Sequence, residues 1–151
     1  MNDYQFNTQL MRTLYLHCGF KTLAQFKQDC SFSSKFYYNI MQRNDVRMSY
    51  LLNICNKYGI NPVAFFISPS VPTPLIHTAY TFHFVWESQE YLTLPDGSAQ
   101  KIMKLLNQTT PFLTRQRFLR HGDDSTIKAS DIIYILNTYN LRPDQFFIPK
   151  E

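Results

Sequence analysis

The side chains of this chain that could do chemistry are its cysteines, its histidines, two adjacent tyrosines and a run of arginines. Cys18, Cys30 and Cys55 are odd in number and unequally spaced. That fits neither a disulfide framework nor CxxC-type zinc ligation, so they read as reduced, buried, small apolar residues. His77 and His83 lie six apart and would share one face of a strand, but no carboxylate or thiol pair stands near to complete a metal site. His17 beside Cys18 would need a third group to orient it, and neighbours on a helix point in different directions. No phosphate loop, dinucleotide fingerprint, HExxH or paired-carboxylate motif occurs. The expectation is a non-enzyme with no cofactor and no metal. There remain Tyr37 and Tyr38, whose rings could stack on bases but at helical spacing are more often core. Arg115, Arg117 and Arg120, with His121, form a basic cluster suited to phosphate or simply to solvent.

The charge is distributed unevenly. The formal net charge is +4, and residues 1–74 hold seven Lys and Arg against three Asp, while residues 98–151 hold eight against five acidic residues. Between them Glu87, Glu90 and Asp96 stand without a single Lys or Arg over residues 75–97. Two basic segments around an acidic connector suit a polyanionic partner. Hydrophobic residues at 44% and aromatics at 16% supply enough apolar surface for a core. No run approaches the roughly 18 apolar residues of a membrane span, and the opening MNDYQFNTQ lacks the features of a signal peptide. A cytoplasmic protein with no membrane partner is expected.

The elements that would position these groups are written twice. SYLLNICNKYGINPVAFFI over residues 49–67 matches SDIIYILNTYNLRPDQFFI over residues 130–148, always 81 apart: Ser49 with Ser130, Tyr58 with Tyr139, Pro62 with Pro143, Phe65 with Phe146. Leu51, Leu52, Ile54, Cys55 and Tyr58 make one apolar helical face, with Ser49 as N-cap and Gly59 as stop. Asn61-Pro62 then opens a second short helix. The later copy repeats this with Ser130, Asn140 and Pro143. Upstream, the spacing predicts a helix over residues 9–18, a helix LAQFKQDC capped by Thr22, and a helix from Ser33 through Tyr37, Ile40 and Met41, making five within residues 7–67. Before the second copy, Ser98 would cap AQKIMKLLNQ and Thr110-Pro111 would open FLTRQRFLRHG, stopped at Gly122. Over residues 69–97, the proline-rich SPSVPTP predicts a linker, and the aromatic, alternating stretch that ends at Asp96-Gly97 predicts a β-hairpin or two short strands, with a helix as the alternative. That hairpin would tie the two repeats together or pair with a second subunit.

The succession of capped helix, CSFSS link, helix ending in MQRND and then SYLLNICNKYGINPVAFF resembles the Cro/Xre, lambda-repressor-like helix-turn-helix family of bacterial and phage regulators. The resemblance covers residues 7–67 and, more faintly, 98–148. It implies a mainly α fold of tandem helix-turn-helix units, over residues 1–68 and 98–151, joined by the linker and short β-hairpin. It also implies sequence-specific double-stranded DNA binding and transcription regulation, with the helix around residues 33–44 in the major groove. Carried over position by position, Ser33, Ser34, Lys35, Tyr38 and Asn39 fall on the reading surface, with Arg43 and Asn44 near phosphate. Leu23 and Lys27 stand where the family often has Gln and Ala. In the second, degenerate unit Arg115, Arg117 and Arg120 would bind phosphate, while Phe112 and Leu113 occupy the early reading positions. The preferred expectation is one reading unit and one supporting unit, with a homodimer or the internal repeat as the two ways to engage two half-sites. The alternative is a helical module that keeps the fold but holds protein or RNA.

Overall fold

Residue 4 begins a segment stapled to the far end of the first repeat. Strand β1 (Gln5–Phe6) runs antiparallel to β2 (Phe66–Ile67). Asn7 extends the staple: its N–H donates to Phe65 O at 2.8 Å and its side-chain amide to Ala64 O at 3.1 Å, while its Oδ1 caps α1 (Thr8–Arg12) through Leu10 N at 3.1 Å. The computed structural model describes residues 3–30, 40–43, 45–84, 91–101 and 127–150.

The predicted helix over residues 9–18 is broken into α1 and α2 (Leu14–His17). The break falls at Thr13, whose hydroxyl donates back to Gln9 O at 2.9 Å and competes with the helical ladder. LAQFKQDC forms α3 (Leu23–Cys30) as expected, with Thr22 Oγ1 accepting from Gln25 N at 3.3 Å and Phe26 fully buried against Phe20 and Tyr58. Residues 40–43 are helical. The long helix of the first repeat is α4 (Met48–Tyr58), which buries Leu51, Leu52, Ile54 and Cys55 and stops at Gly59 in the left-handed region, φ 70°. Asn61 Oδ1 accepts from Val63 N at 3.1 Å to open the 3-10 turn Pro62–Phe65. In the second repeat α5 (Ala129–Tyr139) stops at left-handed Asn140, and the 3-10 turn Pro143–Gln145 follows. Among the described residues no helix is long and apolar enough to cross a membrane.

The mainly α expectation fails, because each repeat finishes as a strand. Phe66-Ile67 and Phe147-Ile148, rich in β formers, leave their short helices extended, and their backbone groups need partners. The first finds β1. The second, in β6 (Phe147–Pro149), finds β3 (Phe82–Phe84), not a neighbouring hairpin strand. The aromatic stretch placed between the repeats is therefore partly the opening strand of the second one. Phe6 stacks on Phe65 at 5.9 Å and 24°, and Phe84 stacks on Phe146 at 6.1 Å and 22°. A hairpin does form, but later than expected: β4 (Tyr91–Thr93) pairs with β5 (Ala99–Lys101) around left-handed Gly97. Ser98 begins no helix, since its N–H and hydroxyl both go to Asp96 Oδ1 in the turn, at 2.9 and 2.7 Å. The fold is mixed, with three antiparallel two-stranded sheets among the described residues, and it is not a pair of helix-turn-helix units.

The repeats meet each other through equivalent residues. Met48 N donates to Ile127 O, and Ala129 N to Val46 O, both at 2.8 Å, so that Arg47 bridges antiparallel to Lys128. Arg47 faces its own counterpart, 81 residues away, and the two flanking bonds exchange Val46 and Met48 with the counterparts of each other, Ala129 and Ile127, as an antiparallel pairing about a two-fold requires. Phe66 and Phe147 are also counterparts, and their rings touch at 5.8 Å. The helices are exchanged in the same sense. Asn56 of α4 clamps the backbone of Phe82 (2.8 and 2.9 Å), and Asn137 of α5 clamps that of Tyr4 (2.8 and 3.2 Å). Contacts of this kind define a local two-fold axis, as in an isologous dimer, inside one chain.

Candidate functional site

The internal axis has a basic end. Val46 and Ile127 are buried beneath it, and between them Arg47 is exposed and Lys128 half-buried. Around this point opens a cleft of about 380 Å³ lined by Ile40, Arg43, Asp45, Val46, Arg47, Tyr50 and Lys128. The lining follows from local structure. The end of the helical run 40–43 delivers Arg43, the extended pair at 46–47 delivers Arg47, the first turn of α4 brings Tyr50, and the extended residue before α5 is Lys128.

Electrostatically the cleft is unbalanced. The one carboxylate among its described lining residues, Asp45, accepts from Ser130 N at 3.0 Å, Ser130 Oγ at 2.7 Å and Val46 N at 3.0 Å, so it caps α5 from across the axis. Among the described residues the ion pairs are Lys57–Asp29 and Arg142–Asp144, and neither includes Arg43, Arg47 or Lys128. Three cations around one opening, with no ion-pair partner among the described residues, repel one another and favour a ligand that carries several negative charges.

Of the residues expected to form the site, Arg43 is described, exposed, and a wall of this cleft. Ser33, Ser34, Lys35, Tyr38, Asn39, Asn44, Arg115, Arg117 and Arg120 lie outside the described residues. Arg47 and Lys128 were missed, although the 81-residue offset continues through them and both are basic.

The other chemistry-bearing side chains are engaged elsewhere. His77 Nε2 lies 2.9 Å from His17 O, whereas His83 sits in β3 opposite Ile148, so the two histidines share no face. No group of three metal-ligating side chains occurs among the described residues. Burial and then the neighbouring Cys30 push the Cys18 thiol up to about 12, and burial raises Cys30 and fully buried Cys55 as well. They are thiols at neutral pH and not nucleophiles. Cys30 Sγ lies 3.2 Å from Tyr58 Oη, which also hydrogen-bonds the Asp29 carboxylate. Lys57 donates to Asp29 O at 3.0 Å, so this cluster latches the end of α3 to α4. Comparison with protein-family models, with curated proteins and with solved structures yields no match for this chain.

Proposed function

We propose that the chain is a cytoplasmic, non-enzymatic regulator that binds double-stranded DNA in a sequence-dependent way, with the segment around residues 33–44 as its reading element. The observation that carries this reading is the basic cleft at the two-fold end: Arg43, Arg47 and Lys128 gather there without a carboxylate partner among the described residues. A duplex presents phosphates on two strands related by local dyads, and cations grouped about a two-fold axis complement that arrangement. Arg43 also closes the segment in which Lys35 and Asn39 supply side chains able to contact bases.

Selection of bound sequences from a random duplex pool tests it. A recovered motif, with affinity that falls steeply as salt rises, is the expected result. Asn39→Ala should then cost about 1–3 kcal/mol on the preferred sequence and relax one base position, whereas Arg43→Ala should weaken all sequences alike. Absence of enrichment at low salt, or binding indifferent to salt, defeats the reading.

A further inference from the structure

We infer that a single chain is a complete two-fold binding unit, which takes one duplex carrying two half-sites about an approximate dyad and sets Arg47 and Lys128 at its centre. The inference rests on the DNA-binding reading and adds stoichiometry, symmetry and the position of the centre.

The surface that residues 46–48 would offer a second copy is already covered by residues 127–129, through the reciprocal 2.8 Å bonds of Met48 and Ala129. The Asn56 and Asn137 clamps are closed in the same reciprocal way, onto Phe82 in β3 and onto Tyr4 just before β1. An isologous interface satisfied within one chain leaves no free equivalent through which a homodimer could build the same axis. The two-fold element that dimeric DNA binders obtain by association is covalent here. It should therefore meet a site of two halves at a fixed spacing, with no dependence on protein concentration beyond that of a monomer.

The two halves are not equal. At the 81-residue offset, the cleft-lining Tyr50 is answered by Asp131. Asp131 is buried and its carboxylate accepts from Lys128 N at 3.0 Å, so the second half adds a committed acid where the first has an aromatic ring at the cleft. The half-site under the first repeat should carry more of the phosphate contacts. The preferred duplex should be an imperfect palindrome.

Sedimentation of the full chain with a fluorescent duplex chosen by selection tests this directly. The expected complex holds one chain per duplex at saturation, and footprinting shows protection on both sides of one centre. Inserting about half a helical turn of DNA at that centre should weaken binding by roughly tenfold or more, because the second half can no longer be reached. Two chains per duplex, or an affinity unchanged by the insertion, overturns the inference while leaving DNA recognition standing. Failure to bind any duplex at low salt overturns the recognition reading and this inference with it.

Discussion

At one end of the internal axis Phe66 packs on Phe147 with both rings almost fully buried, and at the other Arg47 and Lys128 pair only their backbones beside an open cleft. The same symmetry operation joins the two places, yet one is dry and the other is charged and wet. The difference separates two tasks. The aromatic end excludes water and supplies cohesion between the repeats. The basic end holds like charges together, which costs stability in the free protein and is relieved by a polyanion. The buried end makes that arrangement tolerable.

The largest effect should come from breaking the dry end. Phe147→Ala is expected to cost about 3–5 kcal/mol, the usual range for deleting a buried phenyl ring. Phe66→Ala should behave alike, and the double variant should lose less than the sum, with a coupling of roughly 0.5–1.5 kcal/mol in urea melts. Additive losses would mean that the rings act in separate units and that the axis is only a contact. Next come the exchanged clamps. Asn56→Ala and Asn137→Ala each leave a backbone N–H and C=O without their partner, at a cost of about 1–3 kcal/mol. Near-equal costs at the two positions are expected from the matched geometry, and a neutral result at either one would break the comparison between the repeats.

The wet end should respond in the opposite sense. Arg47→Ala and Lys128→Ala should leave thermal stability unchanged or slightly raised, since each removes a cation from a like-charged group. Each should reduce the slope of log K against log salt by about one unit in fluorescence anisotropy on a selected duplex. Loss of stability without a change in slope would move these residues from ligand contact to structure.

What could be read from residues alone follows the range of the interactions. The helical faces, the Thr22 cap, the Gly59 and Asn140 stops and the proline-led turns were legible because each is settled within a few neighbouring residues. The strands were legible only in part: the aromatic stretch before Asp96-Gly97 reads as β and holds β3 and β4, but the pairings do not follow from it, since these two- and three-residue segments join distant parts of the chain, Phe6 with Phe66 and Phe84 with Phe147. Ser49 and Ser130 are not the caps: α4 and α5 begin at Met48 and Ala129, so the cap positions fall two residues earlier, at Arg47 and Lys128. The N–H groups of Met48 and Ala129 are satisfied by carbonyls of the opposite repeat, and the next one in α5, that of Ser130, goes to the Asp45 carboxylate across the axis, so neither serine is needed as a cap. Arg47 and Lys128 lie two residues before the matched stretches that open at Ser49 and Ser130, and so outside the clearest part of the repeat. Arg43 was legible by type and position; the cleft that gathers it with them depends on the axis.

The smallest expected effect concerns a feature the two halves do not share. Lys57 and Tyr58 of α4 hold Asp29 at the end of α3, whereas α5 carries Thr138 at the position of Lys57 and retains only Tyr139. The Tyr58 hydroxyl, followed by Lys57, holds the Asp29 carboxyl below its ordinary value. A carboxyl lowered in the folded state contributes fully above its unfolded pKa of about 4, and the contribution fades as pH falls through the lower folded value. Acid should therefore loosen the α3 attachment of the first repeat. Asp29 is exposed and its pairs are screened, so the effect is a modest one. Asp29→Asn should lower the melting temperature slightly at pH 7, and its curve should converge on that of the unaltered protein only as pH falls below the lowered folded value, where both lack the charge. Asp96, whose carboxyl is likewise lowered by the Ser98 hydroxyl and N–H in the hairpin turn, gives the matched control outside the latch. Lys57→Met should remove part of the Asp29→Asn difference and none of the Asp96→Asn difference. Equal dependence of both on Lys57 would show that the acid response belongs to overall charge and not to this latch.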